Sequence, residues 1–331
     1  MVTSRDVARV AGVSQATVSR VLNGIQTVDP QMRARVEDAL RVLEYVPNAS
    51  AKSMRTSKSG VIGVVASEIL NPYFPRLLDA LTREARSRGH GVMVWNDGDP
   101  AAPMAQEAVA AGVVDGVIFA AARESTRGVD LLAARGVPVM LVNRGWPGKP
   151  VDQVTSDHER SGYAAADYFL HRGRRRIAAV FGPRDTFASP ARETGFRRRL
   201  DEEGIEVPPE WWLVGDTSYE HGWAAGKRLL EGRPLPDAVF CSADIIAFGL
   251  LGALRADGIR VPEDLWVMGN DGLPMSSWQQ FDLTTHRQPI EDMARVGMDL
   301  LVARIGGNVE APERRLIPTE LIIRGSTAHT E

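Results

Sequence analysis

Between Ser14 and Asn23 the chain sets Gln15, Ala16, Ser19 and Arg20 against Val18, Val21 and Leu22. On a helix the apolar group packs inward and the polar group faces out. That outer face is short, polar and carries one guanidinium. It suits the major groove of a duplex, about 12 Å wide, where Arg20 can donate two bonds to one guanine and Gln15 can read an adenine edge. Ser14, Thr17, Ser19 and Asn23 can bond phosphates and fix register without reading sequence. A second group follows between Pro47 and Arg55, where Met54 stands between Lys52 and Arg55. A helix this short is marginal alone and orders only against a partner. An apolar wedge flanked by cations fits the minor groove, where such side chains part base steps. On these residues alone, a structural three-helix cap and a plain linker whose methionine packs on the body stay open as alternatives.

The elements that would position these groups are legible. Ser4 to Val10 reads as a helix with Thr3 as N-cap and Asp6 as its capping-box partner. Gly12 supplies the positive φ of a tight helix-to-helix turn. Ser14 caps a second helix, Gln15 to Leu22, which Asn23-Gly24 ends. Asp29-Pro30 opens a third helix, with Val36, Ala39, Leu40 and Leu43 as its apolar stripe. Residues 1–58 hold 9 Lys and Arg against 5 Asp and Glu, a net +4, while the remainder is −7. A small basic head on a larger acidic body points to an anionic partner for the head.

The head resembles the lactose-repressor (LacI/GalR) family. The resemblance runs in register through Asp6-Val7-Ala8, Ala11-Gly12-Val13-Ser14, Thr17 to Gly24 and Tyr45-Val46-Pro47-Asn48. It implies that the second helix reads the major groove through Gln15, Ala16 and Arg20. It also implies a hinge helix that pairs with its dimer mate and drives a leucine into the minor groove. Met54 falls on that leucine position. Thr3, Ser4, Ala51, Lys52 and Arg55 complete the DNA-facing set.

The chain has 331 residues, 44% apolar and 24% charged, enough for about two large units and something small. Its longest nearly apolar run, Ala108 to Ala122, is broken by Asp115 and is shorter than the roughly 20 residues of a membrane span. Met1 to Asp6 holds no apolar signal-peptide core, and the single cysteine, Cys241, cannot form an intrachain disulfide. A cytoplasmic protein without membrane contact is expected. Candidate strands at Val61–Ala66, Gly91–Trp95, Gly116–Ala120, Pro138–Val142, Arg176–Phe181, Ala238–Cys241 and Leu265–Met268 alternate with helical stretches such as Phe74–Arg88, His158–His171, Ala191–Glu203 and Ile245–Asp257. This is the pattern of α/β lobes with parallel sheets. The series restarts near residue 160, so two similar lobes are expected with a ligand cleft between them. Enzyme signatures are lacking. No GxGxxG follows a strand, Gly222 to Lys227 has its glycines too close for a phosphate loop, no GxSxG elbow occurs, and the six histidines show no metal-site spacing.

The family resemblance continues through Asn71-Pro72-Tyr73-Phe74, Asp115-Gly116, Gly182-Pro183, Arg192 with Gly195-Phe196, Asp244, Gly269 with Asp271, and Leu283-Thr284-Thr285. It implies a periplasmic-binding-protein-like body. In it Arg192 and Asp271 hydrogen-bond an effector and Phe74 covers an apolar ring face. A guanidinium fork and a carboxylate do suit adjacent hydroxyls; an interlobe Arg192–Asp271 ion pair and core packing of Phe74 are the alternatives. Thr217 stands where an aromatic often follows Gly215-Asp216, with Tyr219 or Trp223 as substitutes, and Ala243 stands where many members have Asn. Tyr73, Phe74, Asn143, Arg144, Arg192, Tyr219, Asp244 and Asp271 form the expected effector set.

The resulting expectation is a ligand-responsive repressor of carbohydrate genes, a homodimer or tetramer on a palindromic operator, with a sugar-type effector and neither cofactor, metal nor catalytic site. Residues 1–46 form the helix-turn-helix domain, 47–59 the hinge, and 60–331 the body. Its lobes are 60–158 with 286–313, and 159–285 with 314–331. A sugar receptor of a transport system and a sugar-converting α/β enzyme are the competing readings.

Overall fold

The computed structural model describes residues 2–22, 24–25, 27–45, 58–66, 70–96, 101–120, 128–232 and 234–327, without the side chains of 101–103. Contacts divide the chain into two units, Met1–Ser59 and Gly60–Glu331. The expected hinge contacts Ala51, Lys52, Met54 and Arg55, and Asn23, lie outside the described residues.

The first unit holds α1 (Ser4–Ala11), α2 (Gln15–Leu22) and α3 (Pro30–Val42). Thr3 and Asp6 form a reciprocal capping box at α1. Gly12 takes φ 64° at the turn, a left-handed value cheap only for glycine. The Thr17 amide donates to Ser14 Oγ at 3.1 Å, and Asp29 Oδ1 accepts from the Gln31 and Met32 amides. Val7, Val18, Val21, Val36 and Ala39 close a small core, with Leu40 and Leu43 partly buried against it. Leu22 departs from expectation. At 38% exposure it stands outside the core that Val18 and Val21 join.

The second unit begins with β1 (Val61–Ala66), α4 (Tyr73–Ser87), β2 (Gly91–Asn96), α5 (Ala101–Ala110), β3 (Gly116–Phe119), α6 (Gly128–Ala134), β4 (Val139–Val142) and β5 (Asp152–Ser156). Next come α7 (His158–His171), β6 (Ile177–Phe181), α8 (Ala188–Glu202), β7 (Trp212–Val214), α9 (Tyr219–Glu231), β8 (Ala238–Cys241), α10 (Asp244–Ala256), β9 (Trp266–Asp271) and β10 (Thr284–Arg287). The chain closes with α11 (Ile290–Ile305), β11 (Arg314–Ile317) and β12 (Glu320–Ile322).

These strands form two sheets of six, ordered β11-β5-β4-β3-β1-β2 and β12-β10-β9-β8-β6-β7. All pairings are parallel except β10 with β12. Leaving aside the late edge strands β11 and β12, each sheet repeats the same order, so each has its switch point beside its first strand. Strands such as β3, β4, β6 and β8 are buried throughout. Helices on both faces require that, and it explains their continuous apolar runs.

The chain passes between lobes three times, after β5, after β10 and after β11. The last two passages correct the expected boundaries. β10 stays in the second sheet through Arg287. β11 belongs to the first sheet, paired with β5 from Arg314 to Ile317. Pro318, which has no N–H to continue a ladder, then separates it from β12. β5, β7, β10, β11 and β12 were not foreseen.

Candidate functional site

In the first unit, Gln15, Ala16 and Arg20 are exposed on α2 and Ser19 is half-buried beside them. Gln15 Nε2 donates to Ser4 Oγ at 2.8 Å, which ties the start of α2 to α1. The Ser14 and Thr17 hydroxyls lie 3.0 Å apart. The Thr3 hydroxyl donates to Asp6 Oδ2 at 2.7 Å, so capping holds it in place. The structure thus brings Ser4, Ser14, Gln15, Thr17 and Arg20 to the first turns of α1 and along α2.

In the second unit a cavity of about 50 Å³ lies beyond the carboxyl ends of the strands, lined by Tyr73, Phe74, Asn143, Arg144, Arg192 and Asp271 together with Thr217, Ser242 and Gln288. Arg192 is aimed there by the packing of α7 against α8. A Cβ on Gly162 would sit 2.0 Å from Arg192 O, and one on Gly195 1.8 Å from Glu159 O. Only glycine permits this approach, which fixes the root of the Arg192 side chain.

The Arg192 guanidinium is buried. Nη1 donates to Ser242 O at 2.5 Å, and Nη2 lies 3.2 Å from His158 Nδ1. Arginine can only donate. His158 Nδ1 therefore accepts, and Nε2 carries the proton toward Asn143 O, 3.3 Å away. Burial, then the charges of Arg192 and Arg144, hold His158 well below its usual range, in agreement with a neutral ring. With its oxygen turned toward Arg192, the Asn270 amide accepts from Nε and Nη2 at 3.1 and 2.9 Å.

Asp271 stands 3.7 Å from Arg192 Nη2. Both belong to the second lobe, so this contact is not the interlobe ion pair that the sequence left open. Asp271 Oδ1 accepts from Gln288 Nε2 at 2.6 Å. Burial pushes this carboxyl up; Arg192 opposes the shift, and Asp244 adds to it. Gln288 Oε1 accepts from Ser156 Oγ at 2.9 Å and lies 3.2 Å from the Tyr73 hydroxyl, which also reaches Asn143 Oδ1 at 2.8 Å. Asn143 has φ 70°, a conformation asparagine tolerates better than most residues. A network of amides and hydroxyls therefore joins the two walls. Phe74 packs edge-on against Tyr73, with ring centroids 5.5 Å apart, and carries the Arg144 guanidinium 5.5 Å over its ring. It serves both the core and the cavity wall.

Two expected residues are elsewhere. Asp244 is fully buried, accepting from Leu273 N (2.8 Å), Ser276 Oγ (2.6 Å) and Thr285 Oγ1 (2.6 Å). These bonds turn its carboxylate into a brace between α10, β10 and the segment after β9, and burial pushes its pKa up. Its own amide donates to Asp271 Oδ2 at 3.3 Å, so it supports the wall without lining it. Tyr219 stacks on Trp223, with centroids 6.3 Å apart, and lies over Gly252 of α10. Neither ring lines the cavity. Conversely, His158, Gln288 and Ser242 were not foreseen. None carries a sequence signal, because each gains its role from partners 15 to 215 positions away. Among the described residues no three His, Cys, Asp or Glu side chains converge as a metal site, and no helix is long and apolar enough to cross a membrane.

Residues 3–48 match the family described as bacterial regulatory proteins, lacI family, and residues 166–327 match the periplasmic binding protein-like domain. The HTH-type transcriptional regulator CelR of Thermobifida fusca is 33% identical over 328 residues, 97% of this chain and 96% of that protein. The chain belongs to the LacI family. Among solved LacI-family structures, the lac repressor dimer bound to operator and the anti-inducer ONPF is similar with a TM-score of 0.87 and 27% identity, covering 99% of each chain. The transcriptional regulator CelR–cellobiose complex is similar with a TM-score of 0.76 and 32% identity, over 98% of this chain and 100% of that one. The first unit is thus the helix-turn-helix module and the second the binding-protein-like module of a ligand-responsive, DNA-binding transcriptional regulator.

Proposed function

We propose that this regulator represses carbohydrate genes, binding a palindromic operator as a homodimer and taking a sugar or sugar derivative between its lobes. Twofold symmetry of the protein calls for matching half-sites. Arg20 and Gln15 read bases while Ser4, Ser14, Thr17 and Ser19 hold phosphates. Residues 47–59 form the hinge, which the effector orders or releases by changing the lobe angle. We take the cytoplasm as its compartment because its DNA target lies there.

The observation that carries the effector assignment is the chemistry of the cavity wall. It offers guanidinium donors, a carboxylate, amides and hydroxyls beside the rings of Tyr73 and Phe74. Hydroxyl groups with one apolar face match such a wall. CelR, solved with cellobiose, has a similar body. At about 50 Å³ the cavity admits only a few water molecules. A sugar therefore enters as the lobes part, which is the motion the regulation requires. A thermal-shift screen of sugars and sugar acids tests this. A ligand held at a hundredfold excess over its Kd should stabilise the chain by about 2.7 kcal/mol. Loss of that shift in Arg192→Ala would support the assigned site, and an unchanged shift would remove it.

A further inference from the structure

Phe187 directly precedes α8 in the second lobe, yet its ring is absent from that lobe's aromatic core of Phe181, Phe196 and Phe240. Instead it meets groups from the other side of the cleft. Trp146, in the loop between β4 and β5, lies 6.1 Å away centroid to centroid at 65°. The guanidinium of Arg314, on β11, lies 5.7 Å from the ring centroid. His158, the first residue of α7 after the first passage between lobes, packs against it at 5.8 Å and 68°. His158 itself contacts Asn143 O of the first lobe and Arg192 of the second. The Trp146 backbone is fixed in turn, its carbonyl accepting from Gln153 Nε2 at 2.9 Å.

We propose that Phe187 is an interlobe latch. Its contacts with Trp146 and Arg314 exist only while the lobes stand together. Edge-to-face rings attract beyond their area burial, so these contacts weight the free protein toward closed lobes before any effector arrives. An effector that favours open lobes must overcome this weighting, and one that favours closed lobes inherits it. Phe187 lies outside the effector-contacting set, so it acts on the equilibrium rather than on the ligand. The latch concerns the unliganded protein, and it can fail while the effector assignment stands.

Double electron–electron resonance on the full chain tests it. Spin labels go on Arg86→Cys and Arg228→Cys, exposed positions on α4 and α9, with excess unlabelled chain to dilute distances between copies. Cys241 is buried. The wild-type background should give mainly the shorter, closed distance. Phe187→Ala should raise the open-to-closed ratio about tenfold, and Trp146→Ala, which removes the same contact from the other lobe, should do likewise. Trp223→Ala, an exposed aromatic of the second lobe, should leave the distribution unchanged. The latch is overturned if both Phe187→Ala and Trp146→Ala reproduce the wild-type distribution, or if the wild-type chain is already mainly open.

Discussion

Burial fixes protonation at individual residues of the body. His158 is neutral because a guanidinium must donate to its Nδ1. His286, on β10, is neutral because burial and the charge of Arg192 bring its pKa down to about 4. An unfolded histidine titrates near 6.5. The folded chain therefore binds fewer protons than the unfolded chain between those values. Stability from this group is complete above pH 6.5 and is lost as pH falls toward 4. The raised carboxyls of Asp271 and Asp244 act in the opposite sense, so the comparison must isolate the histidine. In urea unfolding at stepped pH, the stability difference between wild type and His286→Gln should narrow by roughly 3 kcal/mol from pH 7.5 to pH 4. A constant difference would mean that His286 titrates normally. Arg192, Asp271 and Phe74 were legible through the family resemblance because their types and neighbours are distinctive. Tyr219 stands off the cavity wall, which a one-dimensional gap after Gly215-Asp216 does not reveal. Asp244 stands off the cavity wall because a conspicuous carboxylate beside a cleft can be consumed by its own scaffold.

At the scale of elements, the strands β1–β4, β6, β8 and β9 and the helices α4, α8 and α10 were legible within a few residues, and α2 and α7 to the residue. The missed strands β5 and β10 are buried but polar: Asp152 to Ser156, and Thr284 to His286. A strand covered on both faces is normally apolar, so apolar patterning cannot find these. Their polarity is a consequence of the site. Ser156 serves Gln288, and Thr285 serves Asp244. Asp152, deeper in β5, is satisfied by Arg304 at 2.7 Å. The helix pair α7 and α8 is the element that aims Arg192, and Gly195 is its closest approach. Gly195→Ala places a methyl group against Glu159 O and must spread the helices. The expected cost is about 1–3 kcal/mol in urea unfolding, together with a smaller sugar-induced thermal shift as Arg192 moves. A variant equal to wild type in both measurements would show that this packing does not position the site.

At the scale of the whole molecule, a basic head and an acidic two-lobed body were legible from charge and alternation, and the family match covers nearly the full chain. The passage points between lobes were less so, because they depend on where β11 and β12 pair rather than on any local pattern. Duplex recognition by the head is proposed to answer to a small molecule held by the body. Selection from a random duplex library with the full-length protein, run with and without the sugar that raises its Tm, tests this most directly. One twofold-symmetric motif should be enriched, and its occupancy should change when the sugar is added. Enrichment of no duplex under either condition would contradict the proposal.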